Sequence, residues 1–120
     1  MKKITLLFLV QTVFSFAQDF KTPYEKGNGN QTTTYEEMVK FYDDLDKNFE
    51  SISVVEKGKD DNGELIRVVI FDNSKKQNIP VIFINNGIHP GEPDGIDATM
   101  MLMRDLALGK IKVPQNTKVA

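Results

Sequence analysis

The chain has 120 residues, no cysteine and a formal net charge of −2 at pH 7. This length suits one small domain at most. The absence of cysteine excludes disulfide bonds and thiolate metal sites. The slightly acidic balance argues against a nucleic-acid-binding protein, whose surface would be strongly basic.

The first residues have the pattern of a secretory signal peptide. Lys2 and Lys3 form a basic start, and Ile4–Val10 is an apolar stretch that also contains a threonine. Small residues precede a cleavage point after Ala17, as signal peptidases require. A membrane anchor is the alternative, but the apolar stretch is shorter than the roughly 20 residues that span a bilayer. We therefore predict that residues 1–17 are removed, leaving a secreted or periplasmic protein without a membrane anchor.

A polar lead-in and an amphipathic helix follow. Residues 18–33 are polar and alternate glycine with asparagine at 27–30, which predicts an extended or flexible segment. Thr34 and Glu37 then have the spacing of a capping box. Apolar side chains recur at spacings of three and four along Thr34–Asn48. This pattern predicts a helix that packs one face on a sheet.

The central part of the chain predicts strands. Ser53–Lys57 and Leu65–Asp72 are rich in β-branched residues and flank a polar turn with Asn62 and Gly63 at its tip. Val81–Ile84 is a short, wholly apolar run, which is typical of a buried strand.

The remaining elements complete an α/β pattern. Asp94–Leu108 has helical apolar spacing, and Gly109 stands at the position where helices stop. Thr117–Ala120 begins another strand. We expect residues 34–120 to form an α/β structure in which helices flank a β-sheet.

The loop after the predicted buried strand is the most informative stretch for function. His89, the single histidine, stands three residues before Glu92. An imidazole nitrogen and a carboxylate oxygen are both zinc ligands. Pro90 and Pro93 disfavour helical backbone at the residues before them. We therefore expect both side chains on a loop at the carboxyl end of a strand, where α/β sheets place ligand sites.

A solvated turn is the alternative reading of this loop. Glu92 could simply favour the positive end of the following helix dipole. Asp94 and Asp97 fall in the first turn of that helix, where the dipole also favours them. Either could instead accept a hydrogen bond from His89 and orient it behind a metal ion.

Residues 86–95, Asn-Gly-Ile-His-Pro-Gly-Glu-Pro-Asp-Gly, resemble the first zinc-ligand segment of the zinc carboxypeptidases of the M14 peptidase family. The predicted helix and hairpin upstream resemble the early elements of the same family, so that the resemblance covers roughly residues 32–120. It implies that residues 34–120 form the N-terminal part of a carboxypeptidase-like mixed β-sheet flanked by helices. It also implies an exported metallocarboxypeptidase that removes C-terminal residues from peptides, with His89 and Glu92 as two ligands of a catalytic Zn²⁺.

The resemblance also implies residues that this chain does not contain. In the family a third ligand, a histidine, lies well downstream, together with the general-base glutamate and the arginine and asparagine that hold the substrate carboxylate. No catalytic residue can be assigned among these 120 residues. We therefore expect the N-terminal part of a longer enzyme or a truncated product, inactive by itself.

Three other functions stay open. One is a zinc deacylase similar to the succinylglutamate desuccinylase and aspartoacylase group, which has a similar His-x-x-Glu loop. The second is an exported, non-catalytic binding module on a carboxypeptidase-like scaffold, and the third is an inert fragment.

Overall fold

The computed structural model describes residues 19–120, and the signal peptide predicted at residues 1–17 lies outside them. No helix in this part of the chain has the length and apolar character needed to cross a membrane. In chain order the elements are α1 (Pro23–Lys26), α2 (Tyr35–Asn48), β1 (Ile52–Lys59), β2 (Leu65–Phe71), β3 (Val81–Ile82), α3 (Asp94–Ala107) and β4 (Lys118–Val119).

The strands form a four-stranded mixed sheet in the order β1-β2-β4-β3. β1 and β2 are an antiparallel hairpin in which Ile52 lies opposite Phe71. β4 runs antiparallel to β2, with Val119 opposite Phe71, and parallel to β3. The predicted α/β class and mixed sheet are therefore confirmed.

The core lies between the sheet and the two long helices. The predicted capping box starts α2: the Glu37 amide donates to Thr34 Oγ1 at 3.2 Å, and the Thr34 amide donates to the Glu37 carboxylate at 2.9 Å. One face of each long helix is buried against the strands. The buried apolar residues are Phe41, Tyr42, Leu45, Ile52, Phe71, Met100, Met103, Leu106 and Val119.

The predicted buried strand Val81–Ile84 is wrong in length and in burial. β3 contains two residues, and Val81, Ile82 and Phe83 are 53%, 49% and 69% exposed. β3 is an edge strand, and among residues 19–120 it pairs with β4 alone. The apolar composition of a run makes burial of the strand favourable, but the strand is buried only where another element covers it.

The structure also differs from the expectation of an extended or flexible lead-in. We call residues 20–33 the strap. Its helix α1 begins with a capping box in which the Thr22 amide donates to Glu25 at 2.9 Å, and Thr22 is fully buried. The strap is held because its polar groups form hydrogen bonds and an ion pair with residues of α3, although the sequence alone would predict these groups to be solvated.

Candidate metal-binding loop

Residues 85–93 form a loop between β3 and α3 and contain the predicted ligand pair. The backbone of His89 and Glu92 is not helical, as Pro90 and Pro93 predicted. Gly91 has φ +83°, a left-handed conformation that residues other than glycine rarely adopt. The turn at this glycine brings the side chains on either side of it together.

His89 and Glu92 meet directly. Nδ1 of His89 lies 3.2 Å from each carboxylate oxygen of Glu92. The two side chains are 68% and 58% exposed. The pair thus faces solvent, where an ion or substrate can reach it.

This geometry fits a zinc ion. Zinc binds histidine nitrogen and carboxylate oxygen at about 2.0–2.2 Å. Two ligand atoms 3.2 Å apart are close enough to bind one ion at those distances. The same separation also suits a hydrogen bond between the two groups, so it permits metal binding and does not require it.

The pair offers two groups of the kind that bind zinc. Across the part of the chain that the structure describes, no three His, Cys, Asp or Glu side chains are grouped so that they could hold a metal. A catalytic zinc site has three protein ligands and one open position. A complete site would therefore need one more ligand.

The start of the loop is fastened to the start of α3. The Asn86 side-chain amide donates to the Gly95 backbone oxygen at 2.9 Å and also to Thr99 Oγ1. Thr99 Oγ1 in turn donates to the same backbone oxygen at 2.8 Å. The sequence indicated only a turn at Asn86, and it contained no signal for these contacts beyond a glycine early in the helix.

Both acidic residues of the first turn of α3 lie near this loop in sequence, but neither bonds His89 in the described structure. Asp94 is exposed. Asp97 is 4% exposed and accepts hydrogen bonds from Thr32 Oγ1 at 2.6 Å and from the Thr33 amide at 3.3 Å. Asp97 therefore joins α3 to the strap, and direct orientation of His89 by either acid stays a prediction.

A cavity of about 370 Å³ opens beside the first residues of the loop, Asn85 and Asn86. Its walls are mostly apolar side chains of α2, α3 and β2, with Phe83 at its rim. Arg67 also lines it, and its buried Nε has no hydrogen-bond partner among residues 19–120. The space would accept an apolar group.

No family model, curated protein or solved structure matches the chain. The chemistry of the loop is therefore the basis for assigning a function.

Proposed function

We propose that this chain contributes His89 and Glu92 to the catalytic zinc site of an exported metallocarboxypeptidase. Such an enzyme hydrolyses C-terminal residues from peptides. The observation on which this depends is the exposed pair in which Nδ1 of His89 lies 3.2 Å from both oxygens of Glu92. Along the chain, a strand of the mixed sheet is followed by the loop with His89 and Glu92 and then by a helix. This order supports the proposal, because the resemblance to zinc carboxypeptidases implies it.

Each residue of the pair has a distinct task in this proposal. His89 offers a ring nitrogen and Glu92 offers one or two oxygens, which are ordinary zinc ligands. Bound zinc polarises the scissile carbonyl and lowers the pKa of a water molecule. Because the loop is exposed, a peptide can approach the pair directly. The third ligand and the general base would come from outside these 120 residues.

Zinc titration tests the ligand assignment. We expect the purified chain to bind zinc weakly, and His89→Ala and Glu92→Ala each to lower the affinity more than tenfold. Loss of a residue that only supports a ligand costs about 10–100-fold, and loss of a ligand should cost more. Asp61→Asn is the control, since it removes an exposed acid in the turn between β1 and β2, outside the loop, and should keep the wild-type affinity.

Competition with a chromogenic chelator measures the affinity, and circular dichroism checks that each variant is folded. Wild-type zinc affinity in a folded His89→Ala variant would show that the loop is a solvated turn.

Activity is a separate test. Because two ligands do not make a catalytic zinc site, the isolated chain should not hydrolyse a blocked dipeptide. If the purified chain did hydrolyse the dipeptide and a chelator abolished that activity, the inference that these 120 residues hold only part of the zinc site would be contradicted.

Export is tested at the N-terminus. Mass spectrometry of secreted or periplasmic protein should show a chain that begins at Gln18. An intact Met1 in that material would exclude cleavage of residues 1–17.

A further inference from the structure

The strap is bonded to both ends of α3. Near the last turn, the Arg104 guanidinium pairs with Glu25 and donates from Nη1 to the Phe20 backbone oxygen at 3.1 Å. In the first turn, Asp97 accepts from Thr32 and Thr33. The strap therefore runs along the helix and is bound near each end of it.

The contact in the first turn cannot be lost without cost. Asp97 is 4% exposed, and a buried carboxylate is costly unless hydrogen bonds satisfy it. Its carboxylate accepts hydrogen bonds from two groups of the strap, the Thr32 hydroxyl at 2.6 Å and the Thr33 amide at 3.3 Å. The Asp97 carboxylate in the first turn of α3 therefore has these two hydrogen-bond donors only when the strap is in place.

The same turn of α3 carries the end of the metal-binding loop. The amides of Ile96 and Asp97 donate to the Pro93 backbone oxygen at 2.9 and 3.1 Å. Pro93 directly follows Glu92, and as the N-cap residue it makes no side-chain capping bond. Besides the packing of Ile96 on the core, hydrogen bonds from Asn86 on the loop and from Thr32 and Thr33 on the strap hold this turn in place.

We propose that Thr32 and Asp97 are positioning residues for the metal-binding loop. The strap holds the first turn of α3, and this turn sets the place of Glu92 relative to His89. The part of this inference that concerns zinc rests on the proposed function. The part that concerns how rigidly the loop and the first turn of α3 are held does not depend on zinc binding.

Thr32→Val is the decisive variant, because it removes the hydroxyl donor and keeps the shape of the side chain. Thr32→Ser is its control, since it keeps the hydroxyl. In the zinc-free protein we expect Thr32→Val to speed amide hydrogen exchange about tenfold at Ile96 and Asp97, whose amides bond the Pro93 backbone oxygen, with Thr32→Ser close to wild type. Zinc affinity should fall by up to about tenfold in Thr32→Val, the lower end of the range for residues that hydrogen-bond a metal ligand, because Thr32 acts through Asp97 and contacts neither His89 nor Glu92.

Asp97→Asn gives a second measurement. It keeps the size of the side chain but replaces one acceptor oxygen with an amide, so it should speed exchange across the same residues. Unchanged exchange in both Thr32→Val and Asp97→Asn would overturn the positioning role. Faster exchange combined with wild-type zinc affinity in His89→Ala would retain the positioning role and reject the zinc site.

Discussion

The side-chain amide of Asn86 donates a hydrogen bond to the backbone oxygen of Gly95 at 2.9 Å. This bond closes the loop that carries His89 and Glu92, because it joins the residues just before and just after them. A Cβ atom at residue 95 would lie 2.7 Å from Oδ1 of Asn86. The contact therefore depends on the absence of a side chain at Gly95.

Gly95→Ala should destabilise the protein by about 0.5–1.5 kcal/mol for each hydrogen bond lost, because the new methyl group displaces the Asn86 side chain from its partners. Alanine has the better helix propensity by about 1 kcal/mol, which offsets part of that cost. Urea unfolding of the variant and the wild type measures the difference.

The double variant Asn86→Ala/Gly95→Ala controls for the clash. Removing the Asn86 side chain makes room for the new methyl group, so the double variant should lose less stability than the sum of the two single losses. Additive losses would mean that Asn86 does not fill the space beside residue 95.

Arg104→Met should release the strap. Burial by itself raises the pKa of Glu25, but hydrogen bonds and charge from Arg104, with help from Thr22, hold that pKa below its ordinary value. Removing the cation leaves the Glu25 carboxylate without its partner, at a cost of about 1.5–3 kcal/mol. We expect faster proteolytic cleavage within residues 26–31, detected by mass spectrometry.

Lys40→Met is the matched control for Arg104→Met. It breaks an ion pair with Asp44 in which the Lys40 side chain is 75% exposed. Exposed pairs of this kind contribute at most about 1 kcal/mol. Equal protease sensitivity in the two variants would contradict a specific role of Arg104 in holding the strap.

Asp72 should make stability depend on acid pH. A hydrogen bond from Lys118 lowers the pKa of Asp72 from 3.8 to about 2. Burial opposes this shift, and hydrogen bonds from Ser74 and Lys75 add to it. A lowered carboxyl pKa stabilises the folded state above the unfolded-state pKa, and this contribution disappears as pH falls through the folded-state pKa.

Asp72→Asn removes this contribution. The variant should be less stable than the wild type at neutral pH, and the gap should close as pH falls from about 4 to about 2. Urea unfolding across that range measures it. A gap that stays constant down to the lowest pH would show that ionisation of Asp72 is not its source.

Phe83→Lys should reduce self-association. Phe83 is 69% exposed beside the edge strand β3, and Val81 is 53% exposed. In the described hydrogen bonds with the β4 segment, the backbone oxygens of residues 80 and 82 accept and the amide of residue 84 donates, which leaves the peptide groups of Val81 and Phe83 on the open side. Open apolar edges pair with other chains, and a lysine on the edge opposes this.

Light scattering over a range of concentrations measures the effect of Phe83→Lys. Leu108→Lys is the control, because Leu108 is 43% exposed at the end of α3, away from the sheet edge. An equal improvement in both variants would point to net charge and not to the edge.

The sequence by itself determined the features that depend on neighbouring residues. The capping box of Thr34 and Glu37 formed because its partners are three residues apart. The loop conformation of His89 and Glu92 was predictable because Pro90 and Pro93 restrict the backbone before them sterically. Local sterics and short spacings require no knowledge of the rest of the fold, so the α/β class and the non-helical loop around His89 and Glu92 could be predicted directly.

Only the tertiary structure determined which polar residues form long-range hydrogen bonds and which apolar residues are buried. Thr32 and Asp97 are 65 residues apart, and Glu25 and Arg104 are 79 apart. Nothing in the local pattern distinguishes these residues from solvated ones, because a hydrogen bond across such a separation depends on how the elements pack. The exposure of Phe83 has the same origin: its side chain is apolar, but burial requires a neighbour, and the position of β3 at the edge of the sheet provides none among residues 19–120.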